Sequence, residues 1–428
     1  MSGKKRQNFI KNFVFWSLGI TIALGWGTGI ASAAEKEIPI GAIYPLTGAV
    51  ADSGQRCKWA AETAADLINN AHPGITLPLA QSAGLPNLGG AKIKLITADS
   101  QGNPAMGKAE AERLINQNKI VGLLGAYNSG VSKAMSIVAE RAGVPLVNGS
   151  SSSTELHKQG FKTFFRTYSY DEVETKALFE AVREADKKMG KKIKTFAVAA
   201  MVGEYGKSMA DWLEHWGKHF DYKLVERVDH KFGATDLSSS VLKLKAANPD
   251  VIFHATLLSD YLLFMKTYKE MNYLPQALMA PCSGCQDPGL IRQGAGNVNY
   301  LMATQIFYVD RIAKTPNLKY INDIYRQKSK SDLDGVVIGE LQAMLVLVDA
   351  INRAGSTDGK AIIQALRKTD IKWDIDVSGG VKFTEEGQNS MVKVVISQII
   401  DGKHLTVFPL EGASQKAIWP MPSWSARK

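Results

Sequence analysis

Residues 120–154 read IVGLLGAYNSGVSKAMSIVAERAGVPLVNGSSSST, and this stretch decides the fold. An apolar run, Ile120–Leu124, is followed by a Gly/Asn/Ser turn. A helical stripe then carries Val131, Met135, Val138 and Ala139, and a second apolar run, Val144–Val147, ends in a serine-rich turn. Short runs with few polar residues suit strands covered on both faces, and a helix between two of them is the unit of a parallel sheet. Both turns leave a strand and enter a helix. Helix starts expose unpaired backbone N–H groups and the positive end of the dipole, so both turns favour a carboxylate or other anion. Ser129, Ser150 and Ser152 add hydroxyl donors. Helix capping explains a single serine equally well, but two turns on neighbouring strands favour a binding site at the carboxyl edge of the sheet.

The same alternation extends in both directions. Further strand-like runs are Ile38–Ile43, Ile93–Thr97, Thr195–Ala199, Leu224–Val228 and Val251–His254, and Met209, Trp212, Leu213, Trp216 and Phe220 form another helical stripe. The pattern runs twice, once over Ile38–Val147 and again from Thr195 to about Met302, which predicts a doubly wound α/β architecture. Helices are expected at about Leu318–Lys328, Gly339–Ala354 and Lys360–Lys368, followed by a β-rich tail at Val381–Phe383 and Met391–Ile400. Periodicity alone does not fix where the tail packs. The segment Ile75–Gly90, rich in Pro, Gly, Leu and Ala, reads as a surface loop or hairpin.

The 428 residues are 45% hydrophobic and 21% charged, a globular balance with room for two to three domains. Lys and Arg number 51 against 41 Asp and Glu, but Lys4, Lys5, Arg6 and Lys11 precede any acid. Without them 47 face 41, with no basic block, so no nucleic-acid partner is indicated. Residues 1–33 combine that basic start, an uncharged run from Asn12 to Ile30, and Ala31-Ser32-Ala33, the order of a secretory signal peptide cut between Ala33 and Ala34. A membrane anchor is the alternative, but Gly19, Gly25, Gly27, Thr28 and Gly29 dilute the run. The mature protein is expected to be periplasmic and not membrane-embedded.

Enzyme signatures fail one by one. Gly203–Ser208 ends like a phosphate-binding loop but has Met201 where glycine is needed, and Ser129 has Tyr127 where a nucleophile elbow needs glycine. The first strand runs into Pro45-Leu46-Thr47-Gly48 rather than the spaced glycines of a dinucleotide site. His215 and His219 stand four apart beside Glu214, yet lie at the border of the Trp212/Trp216 stripe and lack a full ligand set. Only Cys57, Cys282 and Cys285 occur. The Cys282–Cys285 spacing invites a redox reading, against a local disulfide or two reduced loop thiols. No cofactor, metal or catalytic residue is assigned.

Gly41-Ala42-Ile43-Tyr44-Pro45-Leu46-Thr47-Gly48, the Asp99–Pro104 turn, the Ser129 and Ser150–Ser152 turns, Glu204-Tyr205-Gly206, Asn248-Pro249-Asp250-Val251 and Glu340–Ile351 occur in an order that resembles the extracytoplasmic solute-binding proteins of branched-chain amino acid ABC importers. The resemblance covers nearly the whole mature chain and implies a type I periplasmic-binding-protein fold, two lobes joined by three crossovers around a cleft. It places the N-terminal lobe at 34–165 and 305–371 and the C-terminal lobe at 166–304 and 372–428. The crossovers would fall near Phe164–Thr167, Ala303–Ile306 and Thr369–Asp374. It further implies a monomer that delivers a small solute to an ABC permease and its ATPase subunits. The turns at Ser129 and Ser150–Ser152 would grip a carboxylate, and Tyr205 would reach the ligand from the second lobe, with ordinary packing as the alternative.

The departures concern the amine. Relatives place a glutamate after the proline of a G-P-E turn, where this chain has Cys282, and a thiol cannot balance an ammonium removed from water. Asp287 or Glu340 are possible substitutes. Thr256-Leu257-Leu258 is more apolar than the family's second cleft tyrosine, and Ser53 replaces a first-loop aromatic residue. The expected ligand contacts are therefore Ser129, Ser150, Ser152, Tyr205, Ser53, Leu257 and Cys282. The ligand is an amino acid held differently or an amine-free acid. A sensor signalling to a receptor is the runner-up function, and an exported CxxC redox enzyme the third.

Overall fold

The computed structural model describes residues 36–281 and 283–427. The signal-peptide reading of residues 1–33 and the role assigned to Cys282 lie outside them. The chain opens with strand β1 (Glu37–Tyr44), helix α1 (Ala51–Asn69), β2 (Lys92–Asp99), α2 (Pro104–Asn116), β3 (Gly122–Gly125), α3 (Ser129–Ala142), β4 (Leu146–Asn148), α4 (Glu155–Lys158) and β5 (Phe164–Arg166). These five strands form one parallel sheet in the order β2-β1-β3-β4-β5. Along β1, Ile38, Ile40, Ala42 and Tyr44 enter one core cluster and Ile43 the opposite one, as a strand covered on both faces requires. Helix α3 stops where Gly143 takes a left-handed conformation, φ 66°.

The second series is α5 (Asp171–Met189), β6 (Thr195–Met201), α6 (Glu204–His219), β7 (Lys223–His230), α7 (Ser238–Ala247), β8 (Val251–Ala255), α8 (Leu258–Glu270), β9 (Ala277–Ala280), α9 (Pro288–Gly294) and β10 (Met302–Gln305). Three helices follow, α10 (Pro316–Ser329), α11 (Gly335–Ala354) and α12 (Gly359–Arg367). The tail holds β11 (Asp370–Lys372), β12 (Gly380–Lys382), β13 (Val395–Ile400) and β14 (Lys403–Phe408). The second sheet has the order β14-β13-β10-β9-β8-β6-β7, parallel from β7 to β10 and antiparallel at β13 and β14. Phe196, Val198 and Phe253 pack with α5 and α6 on one face, while Ala197, Ala199 and Ile252 pack with α7 and α8 on the other.

Helix α11 is the only helix among the described residues long and apolar enough to cross a membrane, and it is buried against α1, β3 and β4 instead. Asp334 caps it, accepting from the N–H groups of Val336 and Val337. Residues 75–90 form turns closed by an antiparallel Leu85–Ala91 bridge, and they are anchored to the helices beneath. Ile75, Leu77, Ala80 and Leu85 are buried, and Thr76 and Asn87 bond Asn317 on α10 and Asn352 on α11. The return of the chain to the second sheet also comes later than Thr369–Asp374. β12 pairs with β11, and Gln388 bridges to Arg166 at the edge of β5, before β13 joins the second sheet.

Candidate functional site

In each sheet the strand order reverses at one point, between β1 and β3 in the first and between β6 and β8 in the second. Crevices at the carboxyl ends of such strands are where open α/β sheets take ligands. A cavity of about 180 Å³ lies there, lined by Ser129, Ser150 and Ser152 from the turns after β3 and β4. Gly203 and Tyr205 after β6 and Leu257 after β8 line it from the second sheet. Five of the seven expected contacts therefore share one cavity.

The sheet geometry separates the serines' roles. No described side chain caps α3, so its first N–H groups start at the cavity wall formed by Ser129 and Gly130. The Ser129 hydroxyl oxygen accepts the Ser153 N–H at 3.4 Å, which leaves its own proton available. Ser153 closes a local turn ahead of α4: its oxygen accepts the Glu155 N–H at 3.2 Å while its proton goes to Glu204 at 3.0 Å. Ser152 lies beside Asp171, the first residue of α5. Burial pushes the Asp171 carboxyl up to about 7, and neither of its oxygens has a hydrogen-bond partner among the described residues.

Ser150 is committed differently, because Glu340 stands behind it. Gly149 and Gly339 touch backbone to backbone; a Cβ on Gly149 would sit 2.4 Å from the Gly339 carbonyl oxygen. That approach sets Glu340 under the turn, where Ser150 Oγ donates to Oε1 at 2.5 Å and the Tyr44 hydroxyl donates to Oε2 at 2.8 Å. Burial raises the Glu340 carboxyl to about 7, although both hydroxyls and the Gly149 N–H favour its charge. Glu340 is thus sealed under the cavity floor and does not reach a ligand amine directly. Sequence alone offered no sign of this pairing, since 190 residues separate the partners.

Ser53 stands apart from this group. It lines an adjoining cavity of about 270 Å³ with Asp52, Asp287 and Gln293, and the two cavities share Tyr127 and Leu257 as walls. The reason is Arg56, one turn further along α1. Its guanidinium is ion-paired with both Asp287 and Asp334, and Ser53 bonds Arg56 at 3.2 Å and Asp287 at 3.3 Å. Asp287 caps α9 through the Gly289 N–H at 2.7 Å. One arginine therefore joins the caps of two helices, α9 beside the second sheet and α11 beside the first. Burial disfavours its charge, but Asp334 and Asp287 outweigh this and raise its pKa.

Other contacts tie the two sheets together around the cavity. Glu204, at the start of α6, accepts from Lys133 of α3 at 3.0 Å, and the Trp212 indole donates to Thr154 Oγ1 at 2.8 Å. Within the second sheet's own edge, Tyr205 donates to the Pro281 carbonyl after β9 at 3.3 Å. His215 and His219 rest edge-on against Trp212 and Trp216, and no group of three metal-ligating side chains occurs among the described residues. Cys285 is a free, buried thiol whose pKa burial pushes up to about 12. Reactive thiols sit in the opposite environment, so Cys285 is not itself an activated thiol.

The profile of the periplasmic binding protein family matches residues 37–403. Leu/Ile/Val-binding protein homolog 7 of Brucella abortus is 28% identical over 391 residues, 89% of this chain and 93% of the relative. Two solved structures share the fold. The leucine-binding protein LivK of Thermotoga maritima has a TM-score of 0.74 at 22% identity, covering 86% of this chain and 97% of its own. LivJ of Streptococcus pneumoniae, a branched-chain amino acid transporter substrate-binding protein solved with isoleucine, has a TM-score of 0.72 at 19% identity, covering 90% and 100%.

Proposed function

Because this chain belongs to the periplasmic binding protein family, we propose that it captures a small carboxylate-bearing solute between two lobes in the periplasm and delivers it to an ABC permease. It is a binding protein rather than an enzyme, and ATP hydrolysis belongs to its membrane partners. The carrying observation is that the uncapped start of α3, Ser129 and Ser152 meet in one cavity with Gly203, Tyr205 and Leu257 of the other sheet. A ligand that touches both sheets stabilises their approach, and that closed form is what a permease reads.

The names of the relatives make branched-chain amino acids the first solutes to test. An amine would find its partner in Asp287. Two carboxyls share the single guanidinium of Arg56, and Asp287 lines the cavity that adjoins the serine site. The test is a thermal-shift screen of residues 34–428 against leucine, isoleucine, valine, amides and amine-free aliphatic and aromatic acids. A ligand at 100 times its Kd stabilises the native state by about 2.7 kcal/mol. Hits only among amines would mean that another acid replaces the missing glutamate, with Asp287→Asn and Glu340→Gln as the next tests; hits only among amine-free acids would support a site without an amine partner, and no hit after refolding would count against solute capture and favour the sensor role.

A further inference from the structure

Ser150, Tyr44 and Glu340 are all buried, and only Ser150 reaches the cavity. A serine hydroxyl has one proton to give. Besides Glu340, the acceptor within its reach is the Ala126 carbonyl at 3.3 Å, which already takes the Ser151 hydroxyl at 2.5 Å and the Ser132 hydroxyl at 3.0 Å. An ionised Glu340 therefore holds the Ser150 proton, and the lone pairs of Ser150 face the cavity, where they oppose a carboxylate. A neutral Glu340 with its hydrogen on Oε1 donates to Ser150 and releases that proton toward the ligand.

Building on the carboxylate-site reading above, we propose that Glu340 is a specificity-determining residue acting through Ser150, its protonation deciding whether this hydroxyl offers a ligand a donor or an acceptor. A ligand carboxylate is bound together with one proton, taken from solvent onto Glu340 Oε1. A ligand amine or amide N–H suits the ionised form. Tyr44 from β1 and Cys57 from α1 face Glu340, and burial raises the pKa of both, so neither supplies a competing charge near neutrality. The Gly149 N–H faces it from the turn. Asp171 on α5 is the other carboxyl raised to about 7 near the cavity, and it faces Ser152 and Ser208.

Calorimetry with 4-methylpentanoate and L-leucine at pH 6 and pH 8 tests this. With the free carboxyl near 7 and the bound one neutral, linkage makes 4-methylpentanoate about tenfold weaker at pH 8, with close to one proton taken up per ligand. Leucine, whose amine can use the acceptor, should lose less. In Glu340→Gln, Tyr44 claims the amide oxygen and the amide N–H groups face Ser150, so binding should be flat with pH and as tight at pH 8 as the native protein at pH 6. Asp171→Asn should keep the slope. A flat native profile, or a slope that survives Glu340→Gln, overturns the proposal. A ligand-free arm uses carbon-13 NMR of the side-chain carboxyls, with Glu340→Gln for assignment. Titration near 7 that moves upward in Ser150→Ala supports the coupling, and titration in the ordinary carboxylate range overturns it. If Glu340 titrates near 7 and neither probe binds, the solute reading falls for these acids while the Glu340–Ser150 coupling stands.

Discussion

Arg56→Met is the sharpest test of how the two sheets are joined. The guanidinium is buried with both its partners, and removing one member of a buried ion pair costs about 3–5 kcal/mol. The two stranded carboxyls keep their cap bonds, Asp287 to Gly289 and Asp334 to Val336 and Val337, and helix N-termini offset part of their charge. The expected loss is therefore at the lower end, about 3 kcal/mol at pH 8. Burial already raises the Asp334 carboxyl with Arg56 beside it, and losing the guanidinium raises it further above its value in the unfolded chain. That cost is present at pH 8 and is relieved as pH falls through the folded value, so the deficit should shrink by ~1 kcal/mol or more at pH 5. Urea unfolding followed by circular dichroism at the two pH values measures this, and Arg56→Met with Asp287→Asn should recover a substantial part. A loss below about 1 kcal/mol, or an equal loss at both pH values, would refute the account of Arg56 as a desolvated bridge between two helix caps.

Ser129→Ala should raise the Kd of a carboxylate ligand roughly ten- to hundredfold by calorimetry, the loss of one charge-assisted bond, with little change in the urea midpoint. Gly149→Ala drives a Cβ into the backbone of Gly339 and should cost at least about 2 kcal/mol of stability in the same unfolding assay. Glu340 and Asp171, each raised to about 7, and Asp376, raised to about 6, hold protons that the unfolded chain releases near pH 4. Stability from these groups is complete below that value and lost as pH rises through 6 to 7, so ligand-free melting temperature should fall from pH 5 to pH 8 and fall less in Glu340→Gln. Cys282→Glu should improve amino-acid affinity if the charge missing from that turn is what relatives use; unchanged calorimetric binding would mean the turn has been aligned wrongly.

The first sheet was legible because β1 and β3 are apolar on both faces and are punctuated by glycine turns, so tertiary context and local pattern agree. β9 was missed since Ala277-Leu278-Met279-Ala280 is made of good helix formers, and only its place between β8 and β10 makes it a strand. β5 and β14 are too short, or too interrupted by Lys403 and His404, to carry a period. The serine turns could be read as neighbours at one sheet edge because helix-start chemistry is local. The Glu340–Ser150 bond could not, because it depends on two glycines from distant segments meeting, and Arg56 went unnoticed in the second turn of a helix with a polar-looking start. Residues 75–90 looked like loop by composition, while their four buried apolar side chains matter only once α10 and α11 lie beneath them.

The hydrogen bond from Trp212 to Thr154 gives the molecule an optical reporter of its own. The indole belongs to α6 and its acceptor to the turn before α4, so the bond spans the two sheets, with Trp216 stacked 6.3 Å away on the same helix. Separation of the sheets would exchange that acceptor for water and change the polarity around a partly exposed ring. The emission spectrum of the native protein, read during rapid mixing with a solute, would then time lobe closure without any attached dye, and Trp212→Phe identifies which part of the signal is the clock.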